Sequence, residues 1–588
     1  MIMGRTSGRA TVLMVVAGLP ASALAQGPLS EPFPAVLQTD EIDGEIGFVI
    51  DGVDSGDTFG LSVGALHDFN GDGIDDAIIG APNASPAGEP LAGKAYVVFG
   101  SAAGFPAVFE ASGLNGSNGF ALEGVRGAFG GERAGWAVAG AGDVNGDGVG
   151  DAIIGADRAT FPGIAGFAGK AYVVFGRQDG VFEPRSSLDD LDGSDGFVLT
   201  GVDDADNAGR SVSSAGDTNG DGIGDVIVGV PGRGTGSYSG GYYRCCPGAG
   251  YVIFGRDAAS GAAFDAREPL GPVLPRDDGY AINGGDLEGD AGFAVASAGD
   301  VNGDGLTDLV LSAPDVDTYY GECYVVFGRP AASASSISVR SLNGTNGFRL
   351  TAPQASPFNH IGRFVDTAGD FNGDGIDDVL IGTFAGAFVV FGRDDGFPAE
   401  VDLGALDGTD GLWLRAFGGS DVAAIGDVNG DGIDDVAVSD AYAAGPSGMF
   451  SGEVYVVFGS RDAFPSTLNL TGLDGSDGFR FAASVAGEGV GRSVSAAGDL
   501  NHDGRDDLLV GVVNVGSGTG PGKAIVVYGR SSACAADLDG DGELTIFDFL
   551  EFQNLFDAGD PRADFDGDGS LTIFDFLAFQ NAFDAGCG

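Results

Sequence analysis

The chain has 588 residues, 108 of them glycine, with 43% hydrophobic and 10% aromatic residues. That is enough apolar material for a buried core, and glycine without a Gly-X-Y period excludes collagen and points instead to many tight turns. Lys and Arg total 28 against 85 Asp and Glu, a formal charge of −57, which excludes nucleic acid as a partner and disfavours anionic membranes.

At the start, Arg5 and Arg9 precede an apolar run over 10–18 and then Ala23-Leu24-Ala25. This is the pattern of a secretory signal peptide with an A-x-A cleavage site, so residues 1–25 are expected to be removed and the protein to be secreted or held at the cell surface. No later run reaches the ~18 apolar residues of a spanning helix, so no transmembrane segment is expected. Residues 26–40 read as a linker.

From there the chain repeats itself. The unit D-x-N-x-D-G-x-x-D occurs at Asp68, Asn70, Asp72, Asp76; at Asp143, Asn145, Asp147, Asp151; and at Asp217, Asn219, Asp221, Asp225. It returns at Asp300, Asn302, Asp304, Asp308; at Asp370, Asn372, Asp374, Asp378; at Asp427, Asn429, Asp431, Asp435; and at Asp499, Asn501, Asp503, Asp507. A small-residue run precedes each copy, and a short apolar run such as Asp76-Ala-Ile-Ile-Gly80 follows it. A third run (Ala95-Tyr-Val-Val-Phe-Gly100 in the first repeat) and a fourth beginning Gly-Phe complete the unit. Four strands per unit, seven units and no helical period predict an all-β, seven-bladed β-propeller of four-stranded blades over 41–530. The fourth-strand motif begins at Gly47, ahead of the first loop, and is missing after the last third strand at Gly529. The strand from Gly47 to Gly52 is therefore expected to complete the seventh blade and close the ring.

The loops hold three carboxylates, an amide oxygen and a seventh-position carbonyl on a tight turn. These hard oxygen donors suit Ca²⁺ over softer metals. Of the acids, 69 are Asp and 16 are Glu, a bias toward the short carboxylate that such turns use. The repeats resemble the FG-GAP family, which builds the propeller of integrin α subunits and of bacterial surface proteins. Phe59-Gly60 and Gly80-Ala81-Pro82 match its name-giving dipeptides, whereas later repeats have Ala134-Gly135-Trp136, Ala208-Gly209-Arg210 and Gly491-Arg492.

Residues 534–588 form a different module. Asp537, Asp539, Asp541, Thr545 and Asp548 occupy positions 1, 3, 5, 9 and 12 of a calcium loop, and Asp564, Asp566, Asp568, Thr572 and Asp575 repeat them 27 residues on. Each loop runs into a helical segment, Phe547 to Phe556 and Phe574 to Phe583, so a small α calcium-loop domain is expected and about nine Ca²⁺ sites in all. The tandem loop-helix with Asp at position 12 resembles a type I dockerin. That resemblance implies a cohesin-like or envelope partner on loop positions 10 and 11, which are Ile546, Phe547, Ile573 and Phe574. The competing reading has these side chains packing the two helices together.

Cys534 and Cys587 bracket this tail, and a disulfide between them would staple it in an oxidising compartment. For Cys245, Cys246 and Cys323, a bond to Cys323 and a vicinal pair both stay open. The three histidines (His67, His360, His502) are far apart, and neither a G-x-S-x-G elbow at a strand–helix turn nor H-E-x-x-H occurs. The sequence thus reads as an exported, monomeric, non-catalytic propeller whose loops bind a protein or glycan. The alternative is a carbohydrate-active enzyme using Tyr242-Tyr243-Arg244 and Tyr319-Tyr320. The three lysines, Lys94, Lys170 and Lys523, recur before the third strand and read as architectural.

Overall fold

A computed structural model describes residues 32–530 apart from breaks in the loops, the longest at 235–245, 353–359 and 514–519. Of the tail it describes 538, 545–558, 563, 572, 576, 577, 579, 580 and 583. The expected signal peptide lies outside the described residues.

Seven sheets surround an axial channel. In the second, Ala137–Gly142, Asp151–Ala156, Lys170–Val174 and Gly196–Thr200 pair antiparallel in chain order. The second and third strands of this blade are buried at every position, because each sheet is sandwiched between two others. Continuous apolar runs follow from burial on both faces. The core lies between blades: Ile153, Val173 and Phe197 of the second pack with Val226, Val228 and Tyr251 of the third.

The sequence predicts four strands per blade; every blade has five. The extra strand is three residues long, runs parallel to the fourth, and comes from the next repeat. Arg185–Ser187 of repeat 2 pairs with Ala121–Glu123 of blade 1, and Arg267–Pro269 with Val198–Thr200 of blade 2. An aromatic ahead of the short strand fixes it. Phe105 stacks on Phe48 at 4.0 Å, Phe264 on Phe197 at 4.0 Å, Phe397 on Phe348 at 4.2 Å and Phe33 on Phe479 at 4.1 Å. Each stack joins a linker to the Gly-Phe opening of the preceding blade's fourth strand. Such pairs contribute about 0.5–1.5 kcal/mol beyond their area.

The ring closes as expected: Gly47–Asp51 pairs antiparallel with Lys523–Val527 of blade 7. A second strand adds to the clasp. Val36–Gln38, within the expected 26–40 linker, pairs parallel with Arg480–Ala482 of blade 6, and Phe33 is buried there. The propeller thus begins ahead of residue 41, because the N-terminal segment carries its own copy of the aromatic linker.

In the tail, Ile546–Ala558 forms a helix, and Phe552, Leu555, Ala563 and Phe579 make a small core. Cys323 is a fully buried thiol that forms no disulfide, and Cys245 lies outside the described residues. Cys534 and Cys587 lie outside the described residues. No helix among the described residues is long and apolar enough to cross a membrane.

Candidate metal loops and the axial channel

Each nine-residue loop joins the first and second strands of a blade, so all seven sit at one end of the channel. In the first, Asp68 Oδ1 and Asn70 Oδ1 accept the Asp72 N–H at 2.8 and 2.9 Å, and Asp72 Oδ1 accepts the Ile74 N–H at 3.0 Å. The fifth and seventh loops repeat this set within 0.1 Å. Left-handed glycines permit the turn: Gly71 has φ 77° and Gly73 φ 86°.

The ninth-position aspartates have a structural task. Asp76 accepts the N–H of Phe69 and of Gly100, both at 2.9 Å, tying its loop to the glycine that ends the third strand. Asp151, Asp225, Asp308, Asp378, Asp435 and Asp507 make the same bond to Gly176, Gly255, Gly328, Gly392, Gly459 and Gly529. All seven are buried. Burial pushes Asp76, Asp308 and Asp378 up to about 8 and Asp225 up to about 7, and other carboxylates of the same loop add to the rise. Asp151, Asp435 and Asp507 are raised by the same causes.

These loops fit a hard cation in donor chemistry. Their carboxylates repel one another, and the buried Oδ1 atoms of Asn219 and Asn429 have no hydrogen-bond partner. Among the described residues, however, no three His, Cys, Asp or Glu converge closely enough to hold an ion as they stand. The ninth carboxylate is held instead by the backbone donors across the blade.

Position 8 links neighbouring loops, a feature the sequence reading missed. Asp377, Asp434, Asp506 and Asp75 accept the N–H of Asp300, Asp370, Asp427 and Asp499 of the preceding blade, at 2.7–3.1 Å. Where position 8 is Gly150, Gly224 or Thr307, its own N–H donates to the neighbouring carbonyl instead. The clue was an acid at position 8 in four of seven loops.

The inner strands enclose a channel of about 360 Å³ lined by small residues, with Asp366 and Asp421 facing it. Burial pushes both up to about 7, although each accepts two backbone N–H bonds.

The lysines are architectural. Lys170 Nζ meets Glu132 at 2.9 Å with Tyr172 beside both; Lys94 meets Glu123 at 3.1 Å, and Lys523 pairs with Glu488. In blades 4 and 6 the same register position is Glu322 or Glu453, paired with Arg349 or Arg480.

In the tail, Asp537, Asp539, Asp541, Asp564, Asp566, Asp568, Ile573, Phe574 and Asp575 lie outside the described residues. Asp548 is buried and accepts the N–H of Leu538 at 2.9 Å and of Thr545 at 2.8 Å. The second bond is half of a capping box at the helix start. Ile546 is 63% exposed and is not part of the helix-packing core. Tyr242, Tyr243, Arg244 and Tyr319 are also outside the described residues.

The FG-GAP repeat profile matches residues 59–98, 208–242, 291–326 and 490–527, in blades 1, 3, 4 and 7. Among curated proteins, phosphatidylinositol-glycan-specific phospholipase D of Bos taurus is 32% identical over 31% of this chain and 19% of its own length. Integrin alpha-4 of Xenopus laevis is 32% identical over 30% of this chain and 17% of its own length, and integrin alpha-5 of the same organism 26% identical over 47% and 21%. The chain spans about a fifth of the length of these relatives. The profile matches fall in four blades of the seven-bladed propeller, whose repeats are similar to those of the integrin alpha chains.

Proposed function

We propose that the protein is an exported, calcium-binding β-propeller that binds a protein or glycan through its loops and is docked to a partner by its tail. The repeated loop chemistry, with two orphaned amide oxygens inside it, carries this reading. Ca²⁺ would be held by the aspartates and asparagine of each loop, which would draw the mutually repelling carboxylates together. The role is structural, because the same loops connect neighbouring blades through position 8. Similarity to a phospholipase over 19% of that enzyme does not carry its activity here. In the tail, exposed Ile546 is where a cohesin-like or envelope partner would dock.

Chelation tests the metal. EDTA should lower the melting temperature by several degrees, with recovery on adding Ca²⁺ but not Mg²⁺; a melt unchanged by chelation rejects the calcium reading. Ile546→Asp should abolish calcium-dependent capture of an envelope protein by the full chain while leaving the propeller's melt in place.

A further inference from the structure

The mouth of the channel opposite the aspartate loops collects guanidiniums that the calcium reading leaves unused. The residue after the FG-GAP glycine opens the inner strand at this end. It is Arg210, Arg363 and Arg492 in blades 3, 5 and 7, and Trp136 and Phe293 in blades 2 and 4. Arg210 Cζ lies 4.8 Å from the Trp136 ring and 5.1 Å from Phe293, and Arg133 packs on Trp136 at 5.2 Å. Arg363 packs on Phe384 at 5.2 Å. These aromatics hold Arg133, Arg210 and Arg363 in place without neutralising them.

Carboxylates are near but do not consume the charge. Asp157 pairs with Arg210 at 3.4 Å, while Asp290, Asp315 and Asp421 act on the group only at longer range. Among the described residues, the side chains of Arg363 and Arg492 make no ion pair and no hydrogen bond. Burial lowers the Arg363 pKa, and Arg492 and Arg210 lower it further. In a chain with 85 acids and 28 bases, clustering guanidiniums against each other works against stability. Such a cost is retained where a ligand relieves it.

We propose that this mouth binds one uronate-type sugar unit. Its carboxylate is taken by Arg363 and Arg492, and its hydroxyls by Ser213 and Asp366 in the channel below. Guanidinium forks match a planar carboxylate. Channel oxygens suit a hydroxylated ring better than a bare phosphate, and Tyr442, 56% exposed beside Arg363, offers that ring a face. The chain's charge of −57 repels polyanions, which favours a ligand presenting a single charge at the mouth. The inference rests on the reading of the propeller as a binding module and names the ligand class of one of its faces.

The test is calorimetric titration of the calcium-loaded protein with glucuronate, glucose and inorganic phosphate at matched ionic strength. Emission of Trp136 is followed in a Trp413→Phe background, which leaves it the single tryptophan. Saturable glucuronate binding with a Trp136 response is expected, and none with glucose. Arg363→Gln and Arg492→Gln should each weaken binding about tenfold without moving the melting temperature, and Tyr442→Ala should weaken it less. No saturable response to glucuronate, equal affinity for phosphate, or binding indifferent to both arginine variants overturns the proposal. A protein that keeps its calcium-dependent melt and still ignores glucuronate refutes the uronate site alone, leaving the calcium-loop reading intact.

Discussion

Glu132 shows how single residues act between blades. It is fully buried, and it joins the Val125 N–H, which follows the fourth strand of blade 1, to Lys170 and Tyr172 of blade 2. Glu132→Ala would leave a buried ammonium unpaired, a loss of about 3–5 kcal/mol. The double variant Glu132→Leu, Lys170→Met should recover most of that in denaturant midpoint, because neither charge is then stranded. Asp366 behaves differently, since burial pushes its folded pKa up to about 7, above the ordinary carboxylate range. The folded state therefore holds a proton that the unfolded chain gives up, and stability falls as pH rises from about 4 to 7. Relative to the wild type, Asp366→Asn should gain melting temperature between pH 5 and pH 8; a constant offset across that range would show that the carboxyl is already ionised at pH 5.

At the scale of elements, the fourth strands explain the repeated Gly-Phe. Gly47 has φ 147°, and a Cβ there would lie 2.1 Å from the Val526 carbonyl oxygen. Only glycine fits where the strand leaves the blade edge. The following Phe48 is fully buried, stacked by Phe105, and belongs to the strand that closes the ring. Phe48→Ala should cost about 3–5 kcal/mol. Removing the chain ahead of residue 53 should go further. It would strip the fourth strand from blade 7 and the fifth from blade 6, and the exposed edge should drive association visible by light scattering. A monomeric, fully folded truncation would mean the ring does not depend on its clasp.

For the whole molecule, the excess of carboxylates sets the response to ions. Self-repulsion at −57 destabilises the compact state, and salt at 0.15 M screens charges beyond about 8 Å. In EDTA the melting temperature should therefore climb steadily with NaCl, and the climb should flatten once Ca²⁺ is added. Equal salt slopes in both conditions would separate the loops from the charge problem.

The repeat number, the aspartate loops, the third-strand lysines and the Gly47 clasp were legible in the sequence. Each is written in residues close along the chain and copied at a regular interval. The fifth strands, the Val36–Gln38 addition and the position-8 bonds were not, because each pairs one repeat with its neighbour and depends on the angle between blades. The buried bonds of the ninth-position aspartates to the third-strand glycines became visible only once the blade had folded back on itself. Arg210, Arg363 and Arg492 stand in separate repeats and form no local motif. Closing the ring brings them to one mouth, where charges distant in the chain are forced to share a small, partly desolvated space.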